Sequence, residues 1–223
     1  LNFFSKKIPG YVKDYYPSNL EDLLKNVATD NTKGKALGTE IAKKYQKIVD
    51  MQSQVKPGVE GILISDIGLF HHGNAMFDKN RNLTFIDMAD FISNHLEAAG
   101  IKVNKENIPI HTKEFLLDWY RIEAANYIFM ATTKETDSRK IIFDGFKQAY
   151  PAKGDEVPIN NSFKFYKWKM DELNRLLNDG FEISLKNLSE NLRKYFIYGA
   201  PKNYFKKADQ QDIKNWGFDD LID

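Results

Sequence analysis

The segment after Thr112 is apolar around almost the whole circumference of a helix, and this feature constrains the fold more than any other. Large apolar residues recur there at helical spacing: Phe115, Leu116, Trp119, Tyr120, Ile122, Tyr127, Ile128 and Phe129. A narrow polar face remains, formed by Asp118, Arg121, Glu123 and Asn126. A helix that is apolar nearly all round is stable only when it is buried. We therefore predict a mostly α fold in which other helices surround this one.

The composition excludes several classes of protein. The chain has 223 residues, which is enough for one large domain or two small ones. Its 32 Lys and Arg residues balance 31 Asp and Glu residues, so no net positive field favours nucleic acid as a partner. Because Cys is absent, disulfides, Cys-ligated zinc and thiol catalysis are excluded, and an intracellular location is favoured.

The start of the chain and its apolar runs bear on location. No apolar run approaches the roughly 20 residues that a membrane-spanning helix needs, so we expect a soluble chain without a transmembrane segment. The first residue is Leu1 rather than Met, and removal of an organelle targeting peptide would produce such a start. The expected location is cytoplasmic or, if Leu1 follows a removed targeting peptide, mitochondrial.

The residue pattern divides the chain into three parts. Residues 1–38 are predicted to form an N-terminal arm with one short helix, followed by a glycine-containing loop at residues 31–38. Residues 39–198 are predicted to form a helical domain, and residues 199–223 a C-terminal tail. Aromatic residues without helical spacing are frequent in the arm and in the tail. Such segments are typical of chains that lie over another protein, so other protein subunits are the expected partners.

Residues 78–90 carry oxygen-bearing side chains at alternate positions. The candidate metal ligands are Asp78, Asn80, Asn82, a backbone carbonyl oxygen and the closing carboxylate of Asp90. This spacing is typical of a calcium-binding loop between two helices. Two features depart from the pattern. Leu83 replaces the usual Gly at the tight bend, where a side chain is unfavourable, and one extra residue lies between Asn82 and Ile86.

Two later segments repeat the apolar frame of this loop without its oxygens. Residues 134–146 place Ile141 and Phe146 in the same relative positions as Ile86 and Phe91. Residues 176–188 place Ile183 before a helix that Ser184 is predicted to cap. Both loops are predicted to be metal-free, because Lys134 and Gly145 occupy ligand positions in one and Leu176 and Asn187 in the other.

Over roughly residues 40–198 the chain resembles the EF-hand superfamily, and among its members it is most similar to sarcoplasmic calcium-binding proteins. The resemblance implies EF-hand-like helix-loop-helix pairs, joined by very short β contacts through Ile86, Ile141 and Ile183. It also implies one calcium site, with the ligands Asp78, Asn80, Asn82, Asp90 and a carbonyl oxygen at Thr84 or Phe85.

The function expected from these features is that of a non-catalytic, EF-hand-like helical scaffold. It would be a subunit of a larger protein assembly and hold at most one weak calcium ion. A functional calcium sensor or buffer is one alternative, and a metal-dependent hydrolase that uses Asp66, His71 and His72 is another. Adjacent histidines on a helix point about 100 degrees apart and do not easily chelate one ion. No Gly-rich phosphate loop, nucleophile elbow or paired-carboxylate helix motif is present, so an enzyme is less favoured.

Overall fold

The structure, a computed structural model, describes residues 18–24, 27, 30–56, 63–65, 75–78, 80–85, 91–98, 100–101, 110, 112–150 and 156–178. These residues contain the helices α1 (Leu20–Leu24), α2 (Asn31–Gln52), α3 (Ile92–Ala98), α4 (Lys113–Ala131), α5 (Thr136–Ala149) and α6 (Ser162–Asn178). The short strands β1 (Ser18–Asn19), β2 (Ala75–Phe77) and β3 (Leu83–Phe85) form one antiparallel sheet in the order β1-β2-β3. The predicted mostly α fold class is confirmed.

Helix α4 lies at the centre of the core, with α2, α5 and α6 packed against it. The hydroxyl of Thr112 caps its first turn by accepting a hydrogen bond from the Phe115 N–H at 3.2 Å. Trp119, Tyr127 and Phe129 are fully buried, and so are most of the other residues of the helix. The prediction that this helix is buried is therefore confirmed. Among the described residues, no helix combines the length and the apolar character that crossing a membrane requires.

Helices α2 and α5 approach each other closely because glycines line their contact. A Cβ atom at Gly38 would lie 1.9 Å from the carbonyl oxygen of Ile142, and one at Gly145 would lie 2.1 Å from that of Lys35. The predicted loop at residues 31–38 is wrong: α2 begins at Asn31, after the Asp30 carboxylate caps its first turn. The helix therefore crosses the proposed boundary between residues 38 and 39.

Strands β2 and β3 form a β-hairpin. Phe77 pairs with Leu83, so Asp78 and residues 80–82 lie in the turn between β2 and β3. Arg81 adopts a left-handed conformation with φ of 64°, which allows the chain to reverse there. The helix expected directly before the oxygen-rich run is wrong, because β2 lies there and pairs with β3. The helix expected after residue 90 is α3.

The second predicted loop, residues 134–146, is wrong because most of it belongs to α5. Ile142, Phe143 and Phe146 are buried on one side of this helix, so the apolar residues that suggested a loop frame fit a helical face equally well. Ile141 therefore lies in a helix and forms no β contact. The third predicted loop spans residues 176–188, and the structure describes it only up to residue 178. Ile86 and Ile183 also lie outside the described residues. Among the described residues outside the sheet, Ile64 and Phe91 form an antiparallel bridge.

Arg139 of α5 ties the end of α4 to the segment that leads into α6. Its guanidinium is buried and donates hydrogen bonds to the Thr132 hydroxyl at 2.8 Å and to the Ile159 carbonyl at 2.8 Å. It also donates to the carbonyl oxygens of Phe129 and Thr132 at the end of α4, and it lies 3.9 Å over the Phe129 ring. A cation at a helix C-terminus interacts favourably with the helix dipole, so one side chain fixes three parts of the fold.

Candidate functional site

The Asp78 carboxylate organises the hairpin turn. Its Oδ1 atom accepts hydrogen bonds from the backbone N–H groups of Asn80 at 2.8 Å and Asn82 at 2.9 Å. Its Oδ2 atom accepts one from the Asn82 amide at 3.0 Å. The Asn82 side-chain and backbone hydrogen bonds lower the pKa of Asp78 below its usual value. These contacts are those of an Asx turn, in which Asp replaces a backbone acceptor.

The turn brings together part of the predicted calcium ligand set. Asp78, Asn80 and Asn82 share the turn, whereas Thr84 lies in β3 opposite Met76. Asp90 lies outside the described residues. In the part of the chain that is described, no group of three or more His, Cys, Asp or Glu side chains could hold a metal ion. The turn accounts for the hydrogen bonds of Asp78 and Asn82, and calcium binding stays a prediction.

Replacement of Asp78 by alanine is expected to lower the melting temperature slightly, and by the same amount in millimolar calcium and in chelator. The alanine cannot accept the hydrogen bonds of the turn, whereas Asp78→Asn retains an acceptor at Oδ1 and should be milder. Because the pKa of Asp78 is lowered in the folded state, the contribution of its carboxylate to stability is present at neutral pH and is lost as pH falls through that pKa. Thermal unfolding of the three proteins with and without calcium tests this. A melting temperature that rises with calcium only while Asp78 is present would contradict it.

A cluster of buried polar side chains lies where α4 meets α6 and residues 63–65. Glu123 of α4 is fully buried, and its Oε1 atom accepts hydrogen bonds from the Ser65 hydroxyl at 2.8 Å and the Trp119 indole N–H at 2.6 Å. One helical turn away, the Tyr120 hydroxyl donates to the Ile64 carbonyl oxygen at 2.5 Å. These contacts hold residues 63–65 against α4.

An ion-pair network joins α4 to α6 in the same region. Arg121, which is 1 % exposed, donates from Nη2 to the Glu172 carboxylate. Nearer the surface, Arg175 contacts both Glu172 and Asp118 at 3.1 Å. The Arg121 guanidinium also lies 5.6 Å from the centre of the Trp168 ring. Two cations and two anions thus balance each other across the helix pair.

Lys169 of α6 is the most unusual member of the buried cluster. It is 2 % exposed, and its ammonium donates a hydrogen bond to the Asn126 amide oxygen at 3.2 Å. The same ammonium lies 5.5 Å from the centre of the Tyr166 ring. Burial lowers the pKa of Lys169 to about 7, and the nearby Glu123 carboxylate opposes this shift. Burial therefore makes Lys169 easier to deprotonate than an exposed lysine.

Sequence reasoning found the α4 members of this cluster but not those of α6. Arg121, Glu123 and Asn126 were recognised as the polar face of the central helix, although all three are fully buried. Lys169 and Glu172 were missed, but a signal was present: Lys169 lies four residues from both Phe165 and Leu173, inside the apolar stripe of α6. A charged residue in such a stripe indicates a buried partner.

Of the residues suggested for a hydrolase, Asp66, His71 and His72 lie outside the described residues. Ser65, which precedes them, is buried and donates to Glu123. No known protein family model matches the chain, no curated protein matches it, and no solved structure matches it. The EF-hand resemblance and the hydrolase alternative therefore stay predictions.

Proposed function

We propose that this chain is a non-catalytic helical scaffold that binds other protein subunits of a larger assembly. The observation that carries the proposal is the pairing of polar side chains across the core. Glu123, Arg121 and Lys169 have the chemistry of a catalytic base, an anion clamp and a nucleophile. Each of them instead contacts a polar group of another element.

Such cross-element contacts favour a rigid structural role. Hydrogen-bonded polar networks in a core fix one arrangement of the helices, since moving a helix would leave buried groups without partners. Arg139 acts in the same way at the other end of α4, where it joins α4 to the segment before α6. A scaffold needs this rigidity, because a partner that docks on a preformed surface loses less conformational entropy on binding.

The sequence indicates which part of the chain contacts the partner. The N-terminal arm and the C-terminal tail carry aromatic residues without helical spacing: Phe3, Phe4, Tyr11, Tyr15, Tyr16, Tyr204, Phe205, Trp216 and Phe218. Aromatic residues contribute disproportionately to protein interfaces. We therefore assign the partner contact to these two segments rather than to the helical core.

The test is affinity purification of the full chain from its native source, compared with a variant that carries Trp216→Ser and Phe218→Ser. A partner recovered with the wild-type chain should be recovered at least about tenfold less with the variant, as expected when interface hot spots are removed. The matched control is Met51→Ser, which removes an apolar side chain that is 58 % exposed on α2. This control should leave recovery unchanged.

Performing the same purification in calcium and in chelator separates the proposal from its alternatives. The scaffold predicts the same recovered partner under both conditions. Recovery that depends on calcium would instead support a calcium sensor. The absence of any reproducible partner, together with a bound transition metal in the purified chain, would support the hydrolase. If the variant with Trp216→Ser and Phe218→Ser bound the partner as well as the wild type, the assignment of the contact to the C-terminal tail would be overturned.

A further inference from the structure

The ammonium of Lys169 lies inside the interface between α4 and α6 rather than at its edge. Its side chain is 2 % exposed, and it reaches across to Asn126 of α4 while lying against the Tyr166 ring of its own helix. Moving an ammonium from water into such surroundings is unfavourable for its charged form. Geometry alone therefore places a titratable group where its charge affects how well the two helices pack.

Among the described residues, the charged groups near the Lys169 ammonium belong to α4 and α6. From α4, Glu123 contributes a buried carboxylate whose charge favours the charged form of Lys169. Arg121 of α4 and Glu172 of α6 form their own ion pair nearby, so their charges largely offset each other. Among the described residues, the Glu123 carboxylate opposes the effect of burial on the pKa of Lys169.

The α4–α6 interface can accommodate Lys169 in its protonated form and in its neutral form. The acceptor on α4 is the amide oxygen of Asn126, and a neutral amine still has N–H groups to donate to it. The hydrogen bond therefore survives loss of the proton, whereas the cost of burying the charge disappears. Burial lowers the pKa of Lys169 to about 7, which is consistent with this argument.

We propose that the α4–α6 interface is a pH-sensitive joint, in which deprotonation of Lys169 tightens the packing of the two helices. The direction follows from the two states of the chain. An unfolded chain keeps Lys169 protonated up to its ordinary pKa of 10.5, whereas the folded chain releases the proton near 7. Between these values the unfolded state binds more protons, so the folded state gains stability as pH rises. This inference goes beyond the scaffold function and does not depend on the identity of its partner.

The test compares the wild-type chain with Lys169→Met by chemical unfolding at several pH values from about 7 to 8.5, below the range in which tyrosines of the unfolded chain ionise. The equilibrium constant for folding of the wild type should rise by up to about tenfold per pH unit, the value for release of one proton. Lys169→Met keeps an unbranched side chain of nearly the same length without its charge, so the folding constant of this variant should change much less with pH. The control, Lys164→Met, replaces an exposed lysine of the same helix and should keep the wild-type slope.

If the folding equilibrium constant of Lys169→Met rose with pH as steeply as that of the wild type, the proposal would be overturned. If Lys169→Met does not fold, lysine side-chain NMR of the wild type gives the answer directly. One lysine signal should then titrate near pH 7, well apart from the others. Titration of every lysine close to its ordinary pKa would equally overturn the proposal.

Discussion

Gly38→Ala is expected to destabilise the protein by about 3 kcal/mol and to lower the melting temperature by about 10 °C. The added Cβ atom would lie 1.9 Å from the Ile142 carbonyl oxygen and 2.7 Å from the Phe146 backbone nitrogen. Both atoms belong to the backbone of α5, so no side-chain rotation relieves the clash and the two helices have to separate. The higher helix propensity of alanine, worth about 1 kcal/mol, does not offset this cost. Thermal unfolding followed by circular dichroism measures the effect.

Two substitutions in the same helix serve as controls. Gly34→Ala meets first a methyl group of the Ile141 side chain, at 2.5 Å, and this side chain can adopt another rotamer, so the loss should be clearly smaller. Ala36→Ser lies on the exposed side of α2 and should change stability by about 0.5 kcal/mol or less. If Gly38→Ala were as stable as Gly34→Ala, the close approach of α2 and α5 would be contradicted.

These glycines also explain why the sequence misled us at the start of the domain. Glycine is a strong loop signal when only the local chain is considered, and Gly34 with Gly38 suggested that residues 31–38 form a loop. Inside the protein the same residues serve the contact with α5, where any side chain would collide. The residues that α2 contacts at this point, Ile142 and Gly145, lie more than 100 residues away in the chain. The local sequence pattern therefore could not reveal the contact.

The central helix was predictable for the opposite reason. Its apolar residues cover nearly every side, and no arrangement of distant residues changes the requirement that such a segment be buried. The run at Asp78 was ambiguous, because alternating Asp and Asn residues suit both a cation and a tight turn. The structure places the run between two paired strands, and the turn accounts for its hydrogen bonds. The buried cluster was only partly visible, because the sequence does not show that α6 brings Lys169 and Glu172 to the polar face of α4.

Glu172→Met is expected to destabilise the protein by about 3 to 5 kcal/mol, because it leaves the charge of Arg121 buried without its partner. In the part of the chain that is described, the Nε and Nη1 atoms of Arg121 already have no hydrogen-bond acceptor. Its remaining carboxylate neighbour is Asp118, at 4.0 Å from Nε. Removal of Glu172 thus leaves a guanidinium that is 1 % exposed with almost no compensation. Urea unfolding at neutral pH measures the loss.

The double variant Arg121→Met with Glu172→Met decides whether the buried pair itself stabilises the fold. Replacing both charges by apolar side chains of similar length removes the uncompensated ion, so the double variant should be more stable than Glu172→Met alone. The ion pair between Asp118 and Arg175, at 3.1 Å, is left intact in the double variant, and both of its members are partly exposed. As a surface control, Asp171→Ala breaks the exposed ion pair with Lys167 and should cost about 0.5 kcal/mol or less. If the double variant were less stable than Glu172→Met alone, Arg121 would stabilise the α4–α6 interface through contacts other than its ion pair with Glu172.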